Sequence, residues 1–415
     1  MPSKSWKSNL YLIFISELIV IMGFSFVLPF LPLYIQRIGN LTNDDAALWA
    51  GIAGAAAGIA MFISAPIWGT LADRWGRKPM FVRAMFGGSI TLILTGFATS
   101  IYAIVALRFL QGLLTGTVAA ASALVATTTP RDKMPFAMGL LMTAIYGGNT
   151  LGPLIGGILY DKLGYETTFL ITGGLLFIAG LIALFFIKEK FTPPATKEES
   201  ASLANMFKLA KSRKLMPILG IAFALSAGPS IISPVLSLFI KELNPATSAE
   251  TVSGVAFFLM GAMATASTLI AGRMGQRINL KKILIFSCLI SGILYLPPML
   301  AANATQLLIF MAVMGLFRGG MISSSSTLVA LTTSPSQQGS AYGVYQSFSS
   351  LGAAVGPLIG GALAPLIGLR AVFGVTAGAF VVTGLIIAKL LTNVNLNKPD
   401  SDNTQGQLKY LTPRD

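Results

Sequence analysis

Three ionisable side chains stand inside long apolar stretches of this chain: Glu17, Arg108 and Arg318. Each is costly to hold away from water, so a chain that keeps them there puts them to use. Glu17 is the one carboxylate clearly within such a stretch. A proton relieves the cost of its buried charge, which makes it a group able to load and release one. Arg108 and Arg318 are fixed cations and cannot carry protons. Desolvated guanidinium groups attract oxyanions, and two arginines against one glutamate leave an excess of positive charge. Around them the apolar stretches also hold Phe24, Phe26, Tyr34, Tyr146, Asn149, Tyr342, Tyr345, Gln346 and the serine run Ser323 to Ser326. Such aromatic, amide and hydroxyl groups are those that line amphipathic pockets, although ordinary helix packing accounts for any one of them equally well.

Other chemistries lack their residues. There is no histidine, and Cys288 is alone, so no disulfide and no imidazole or thiolate metal site can form. No G-x-x-x-x-G-K-[ST] phosphate loop occurs, so active transport by this chain would draw on an ion or substrate gradient and on no nucleotide or other cofactor. Neither a metal constellation nor a convincing nucleophile favours an enzyme. The net charge of +14 invites a nucleic-acid reading, which its placement argues against.

The elements that must hold these groups are membrane helices. The chain has 415 residues, 54% of them hydrophobic and 11% charged, where a soluble protein carries about 25% charge. Twelve apolar stretches run approximately 10–35, 48–71, 80–98, 102–126, 135–159, 168–187, 215–240, 253–272, 282–301, 306–330, 340–363 and 371–391. They are too long and too evenly apolar for barrel strands, which alternate. With both termini on the cytoplasmic side, only Arg37, Lys162, Lys241 and Arg370 fall outside, Arg108 and Arg318 lie within helices, and the rest of the 29 Lys and Arg face the cytoplasm. That bias is the positive-inside rule, so the basic charge reports topology and lipid contact.

Residues 188–214 are rich in charge and contain two prolines. They read as a cytoplasmic linker between an N-terminal six-helix lobe, 1–187, and a C-terminal one, 215–392. Within the linker, 203–210 has the pattern of a short amphipathic surface helix or of a solvated spacer. The tail, 393–415, is polar and reads as disordered.

The two lobes are copies. Gly148 to Gly157 reads G-N-T-L-G-P-L-I-G-G, and 204 residues later Gly352 to Gly361 reads G-A-A-V-G-P-L-I-G-G. Gly139/Gly343, Gly164/Gly368, Phe169/Phe373 and Gly180/Gly384 keep the same register, and Gly23, Ser25 and Pro29 recur 205 residues on as Gly228, Ser230 and Pro234. Parallel repeats inside a membrane are the mark of a two-lobed transporter whose site lies between the lobes. Gly148, Gly152 and Gly156, with Gly352, Gly356 and Gly360, present a smooth face to a neighbouring backbone, while Pro153 and Pro357 each remove a hydrogen bond and allow a bend.

The loop after the second stretch reads Gly69-Thr-Leu-Ala-Asp73-Arg74-Trp-Gly76-Arg77-Lys78. It resembles the G-x-L-A-D-R-x-G-R-K signature of the major facilitator superfamily at every defined position. Its counterpart in the second half, Gly272 to Arg277, lacks the acid. Gly23-x5-Pro29-Phe-Leu-Pro32, Arg108-Phe-Leu-Gln111-Gly112 and the paired G-x-x-x-G-P-x-x-G-G resemble motifs of that superfamily's twelve-helix drug:proton antiporters. The resemblance implies a cytoplasmic latch at Gly69, Asp73, Arg74, Gly76, Arg77 and Lys78. It implies proton coupling at Glu17 and Arg108, with Arg108 facing the cavity and tuning the carboxylate. It implies bending at the helix-five and helix-eleven glycines. The cavity candidates are then Phe26, Arg108, Tyr146, Asn149, Arg318, Tyr342, Tyr345 and Gln346.

The expected fold is all-α, twelve transmembrane helices in two pseudo-symmetric lobes. The expected function is proton-coupled efflux of amphipathic organic compounds across a bacterial inner membrane, by a monomer whose partners are small molecules, protons and lipid. The arginine excess keeps open an alternative, an organic-anion or organophosphate symporter or exchanger.

Overall fold

The computed structural model describes residues 5–189, 191, 215–243, 248–274, 280–332 and 338–390. Most of the linker 188–214, including 203–210, and all of the tail 393–415 lie outside the described residues. Among the described residues every regular element is helical. In chain order they are α1 Ser5–Val27, α2 Leu31–Gly39, α3 Asn43–Trp75, α4 Arg77–Gly96, α5 Ile101–Leu114, α6 Thr117–Thr128, α7 Met134–Phe186, α8 Met216–Leu243, α9 Ala249–Met274, α10 Leu280–Leu294, α11 Ala304–Thr332 and α12 Gln338–Leu390.

Ten stretches of helix in this set are long and apolar enough to cross a bilayer. They are not the same as the twelve helices above. A 3-10 turn at Leu28–Phe30 joins α1 to α2 in one span, because Pro29 and Pro32 cannot donate the bonds that an unbroken α-helix needs. A second span joins α5 and α6 across a break at Thr115 and Gly116. Conversely, α7 and α12 have 53 residues each. At 1.5 Å per residue a straight helix of that length would run about 80 Å, against an apolar bilayer core of about 30 Å. Both leave helical geometry once, at Gly164 (φ +77°) and Gly368 (φ +79°), where a side chain would be strained. These glycines are 204 residues apart, so the duplication read from the sequence is also present in the backbone. With each half counted as its own pass, the described residues hold twelve.

One face of the bundle carries Gly76 and the start of α1; the opposite face carries Asn40 and the breaks at Gly164 and Gly368. Large apolar side chains such as Tyr102, Phe185 and Leu366 are exposed on the perimeter, as bilayer-facing helices require. The interior is close-packed aromatic and aliphatic side chains, with Phe30, Phe81, Phe169, Phe239 and Phe373 fully buried.

The helix-five glycines do their packing on α1. A Cβ at Gly148, Gly152 or Gly156 would strike Ile21, Met22 and Ser25, or the Phe26 backbone. In the second half, a Cβ at Gly352, Gly356 or Gly360 would strike Phe223, Ala227 and Ser230, or the Ile231 backbone of α8. Pro153 keeps helical φ/ψ, and the departure from helical geometry is eleven residues later, at Gly164.

Candidate functional site

Glu17 has no solvent exposure, and it is the only fully buried acid among the described residues. Its Oε1 accepts a hydrogen bond of 3.1 Å from the Thr117 hydroxyl, while Oε2 has no hydrogen-bond partner there. Thr117 is the first residue of α6. The preceding helix, α5, ends at Leu114; Thr115 is extended, and Gly116 takes φ +115°, a conformation that favours glycine. The carbonyls freed at this break find donors from two neighbouring helices. Trp68 on α3 gives its indole N–H to the Leu113 carbonyl at 2.6 Å. The Arg83 guanidinium on α4 lies 3.6 Å over the Trp68 ring and reaches the Thr115 carbonyl at 3.5 Å. Neither the break nor Thr117 was visible in the sequence, where 102–126 reads as a single uninterrupted stretch. The Thr-Gly-Thr at 115–117 was the available sign.

Arg108 is bonded locally. It is buried, as expected of a group inside the bundle, but it donates Nη1 to the Gln111 side chain one turn on, and it makes no ion pair with Glu17 among the described residues. Arg108 precedes the α5–α6 break, and the Thr117 that holds Glu17 follows it. The R-x-x-Q-G sequence thus describes a local pair within α5, and Gly112 beside it gives α3 room to pack at Ala57 and Ala60.

The cavity candidates divide. Phe26 is in the core, 2% exposed, with its backbone against Gly156, so it lines no open pocket here. Tyr34 is likewise structural, its hydroxyl bonded to the Thr95 carbonyl. Phe24 packs at Gly88. By contrast, Tyr146 is 46% exposed, and Asn149 and Gln346 are exposed. Asn149 takes a 2.9 Å hydrogen bond from Ser25, and Tyr345 donates to Ser325 at 3.1 Å. Arg318 on α11 is part-buried, and its Nη1 is 3.9 Å from the Met260 sulfur. The side chains of Tyr342, Ser323, Ser326 and Asp73, and of 272–280, lie outside the described residues.

The closest approaches between the two halves lie toward the Asn40 face. On one side, Gly51 and Gly58 of α3 admit Pro357 and Ala354 of α12, and Gly361 admits Ala47. On the other, Gly254 and Gly261 of α9 admit Pro153 and Thr150 of α7, and Gly157 admits Glu250. Polar bonds cluster at the same face: Tyr165 to Glu250, Thr251 to Asp161 at 3.2 Å, and Lys241 to Gln36 at 2.8 Å. Toward the Gly76 face, Ile59, Phe62, Ile63 and Ile67 of α3 and Ile270 of α9 are exposed, and a Cβ at Gly69 would meet no described atom within 4 Å.

At the loop motif, Gly76 turns the chain with φ +97° and α4 begins at once. Its first free amides, on Arg77 and Lys78, donate to the Glu189 carboxylate at 2.9 and 2.8 Å. An acid at a helix N-terminus satisfies both the orphan donors and the helix dipole. Glu189 comes from the far end of the first half and was read only as a linker charge.

Two half-chains of matching membrane-length helices, meeting at glycine seams and holding a buried carboxylate inside the first of them, are the features of a membrane transporter. The family model described as the major facilitator superfamily matches residues 13–266 and 218–413. A multidrug resistance protein MdtG from Proteus mirabilis is 35% identical over 377 residues, 90% of this chain and 94% of that protein. The MdtG of Klebsiella pneumoniae strain 342 is 33% identical over 402 residues, 97% of this chain and 96% of that protein. Among solved structures, a bacterial homologue of the human lysosomal transporter Spinster, in an inward-facing unoccupied conformation, superposes with TM-score 0.75 at 14% identity, covering 94% of this chain and 96% of that one. The chain belongs to the major facilitator superfamily.

Proposed function

We propose that this protein is an exporter of amphipathic organic compounds driven by proton antiport. The observation that carries the reading is Glu17: a carboxylate with no solvent exposure, one oxygen held by a single hydroxyl and the other without a bond, in a chain whose relatives over nine-tenths of its length are multidrug resistance proteins. An acid so placed is stable when protonated and costly when charged. Its loading and unloading can therefore alternate with the state of the transporter.

In this reading the protein is a monomer in a bacterial inner membrane with both termini in the cytoplasm. The lobes 1–187 and 215–392 rock against each other about a cavity at mid-membrane. The Gly76 face is cytoplasmic and the Asn40 face external, so the present structure is closed outside and open inside. Cargo enters past Tyr146, Asn149, Gln346 and Arg318.

Arg318 supports a second property. A part-buried guanidinium inside the membrane-spanning bundle recruits compounds that carry an oxyanion along with apolar bulk.

Inside-out vesicles offered a panel of amphiphiles from outside test the proposal. Uptake should depend on the pH gradient and collapse with a protonophore. Gradient-independent exchange of organic phosphate would replace it with the exchanger reading.

A further inference from the structure

The break between α5 and α6 is where side chains or contacts from α1, α3 and α4 come together. On its α6 side, Thr117 holds Glu17 of α1. On its α5 side, the carbonyls of Leu113 and Thr115 are held by Trp68 of α3 and Arg83 of α4. Trp68 and Arg83 flank the loop motif, one in the helix before Gly76 and one in the helix after it, and stack on each other. Leu114, the last residue of α5, is the atom group that a Cβ at Gly87 of α4 would strike. The α5 half is therefore fastened to the loop-motif helices from three directions, while the α6 half is bonded to the carboxylate.

We infer that Thr117 is the positioning residue for Glu17, and that the Thr115–Gly116 break is a joint through which the state of that carboxyl is passed to helices α3 and α4. The inference rests on the proton-coupled reading above. The Thr117 hydroxyl can donate to a charged oxygen or to the carbonyl oxygen of a protonated carboxyl, but the first bond is charge-assisted and shorter. When Glu17 gains its proton, the bond relaxes and α6 is free to move relative to α1. A continuous helix would carry that motion along its whole length. A left-handed glycine absorbs it locally, so the motion reaches the Leu113 and Thr115 carbonyls as a change in how they present to Trp68 and Arg83. The hydroxyl, the glycine and the two clamping side chains each have a part that a plain buried helix would not need.

The surroundings of Glu17 leave Thr117 as the partner to test. The elements packed on α1 are chiefly α6 and α7. The α6 segment holds no titratable side chain. Those of α7 are Tyr146, Tyr160, Asp161, Lys162, Tyr165 and Glu166, none of which is bonded to Glu17.

Two measurements on the purified full-length protein in lipid test the inference without transport. The first is the infrared difference spectrum between high and low pH. The band assigned to Glu17 by its loss in Glu17→Gln should rise in frequency in Thr117→Val, which removes the donor and keeps the shape, and return in Thr117→Ser. An unmoved band in Thr117→Val overturns the positioning role alone. Absence of any band lost in Glu17→Gln overturns it together with the proton-coupled reading. The second measurement uses a protein whose one tryptophan is Trp68, with Trp6, Trp49 and Trp75 changed to Phe. Its emission should shift with the same pH step, lose that shift in Glu17→Gln and Thr117→Val, and keep it in Thr117→Ser. A full shift surviving in Thr117→Val overturns the joint.

Discussion

Tyr165 on α7 donates its phenolic hydroxyl to Oε1 of Glu250 on α9 at 2.6 Å, tying the first half of the chain to the second at the Asn40 face. The tie has no twin. By the register of the duplication Glu250 corresponds to Ala47, whose carbonyl meets Gly361 as the Glu250 carbonyl meets Gly157. The seam is shared, but the acid belongs to one side.

Removing the hydroxyl should loosen that face. A hydrogen bond to a charged group contributes about 1.5–3 kcal/mol, and partial exposure of Glu250 places this one at the lower end. Tyr165→Phe should therefore shift the balance between conformations by about tenfold, which corresponds to 1.4 kcal/mol. Spin labels on opposite halves at the Asn40 face should show a new population of longer distances. An unchanged distribution would mean that the glycine seams alone hold the face shut.

Glu17→Gln should abolish gradient-driven accumulation of cargo while leaving substrate binding and thermal stability near those of the parent, since the amide keeps the shape and can still bond Thr117. Counterflow, which needs no gradient, should persist. Gradient-driven transport surviving in this variant would move the coupling site elsewhere, with Asp73 and Asp161 the next acids to try.

The glycine seams predict a graded stability series. Gly360→Ala and Gly156→Ala each drive a Cβ into a backbone, at Ile231 and Phe26 respectively, and should cost about 1–3 kcal/mol. Gly174→Ala, where no described atom lies within 4 Å, should be neutral or slightly stabilising. Thermal unfolding in detergent would rank the three, and equal losses would mean that the close approaches do not limit stability.

Arg318→Ala should weaken an anionic amphiphile about tenfold or more relative to its neutral analogue. Arg108→Ala should weaken both alike, because Arg108 is bonded within α5 to Gln111 and acts through the fold of that helix. Paired binding titrations on the two variants check this; equal losses on Arg318→Ala would remove Arg318 from cargo selection.

Much of the architecture was legible because duplication leaves marks that burial cannot hide. Gly164 and Gly368 could be paired by register before either was known to be a break. The glycines of helix five could be assigned to a close helix contact because small residues every fourth position leave a smooth face. What escaped was contact between residues distant in sequence. Nothing in the order of residues ties Thr117 to Glu17 across 100 positions, or Glu189 to the amides of Arg77 and Lys78. Phe26 looked like a cavity residue because aromatic side chains serve cores and pockets equally. The tuning of Glu17 by Arg108 came from the resemblance alone, and the one partner that the structure gives Arg108 is the amide of Gln111 one turn on.

The two seams between the halves have one more consequence. Pro357 lies on Gly51 as Pro153 lies on Gly254, Ala354 on Gly58 as Thr150 on Gly261, and Ala47 on Gly361 as Glu250 on Gly157. They are one contact used twice, with the partners exchanged. An interface of that kind is isologous, the form by which a protein pairs with an identical copy of itself about a two-fold axis. A chain of half this length would carry both surfaces of the seam and could close into such a pair. In the present chain the two halves are covalently linked and unlike, the first carrying acids at Glu17 and Asp73 and the second Glu250 and Arg318.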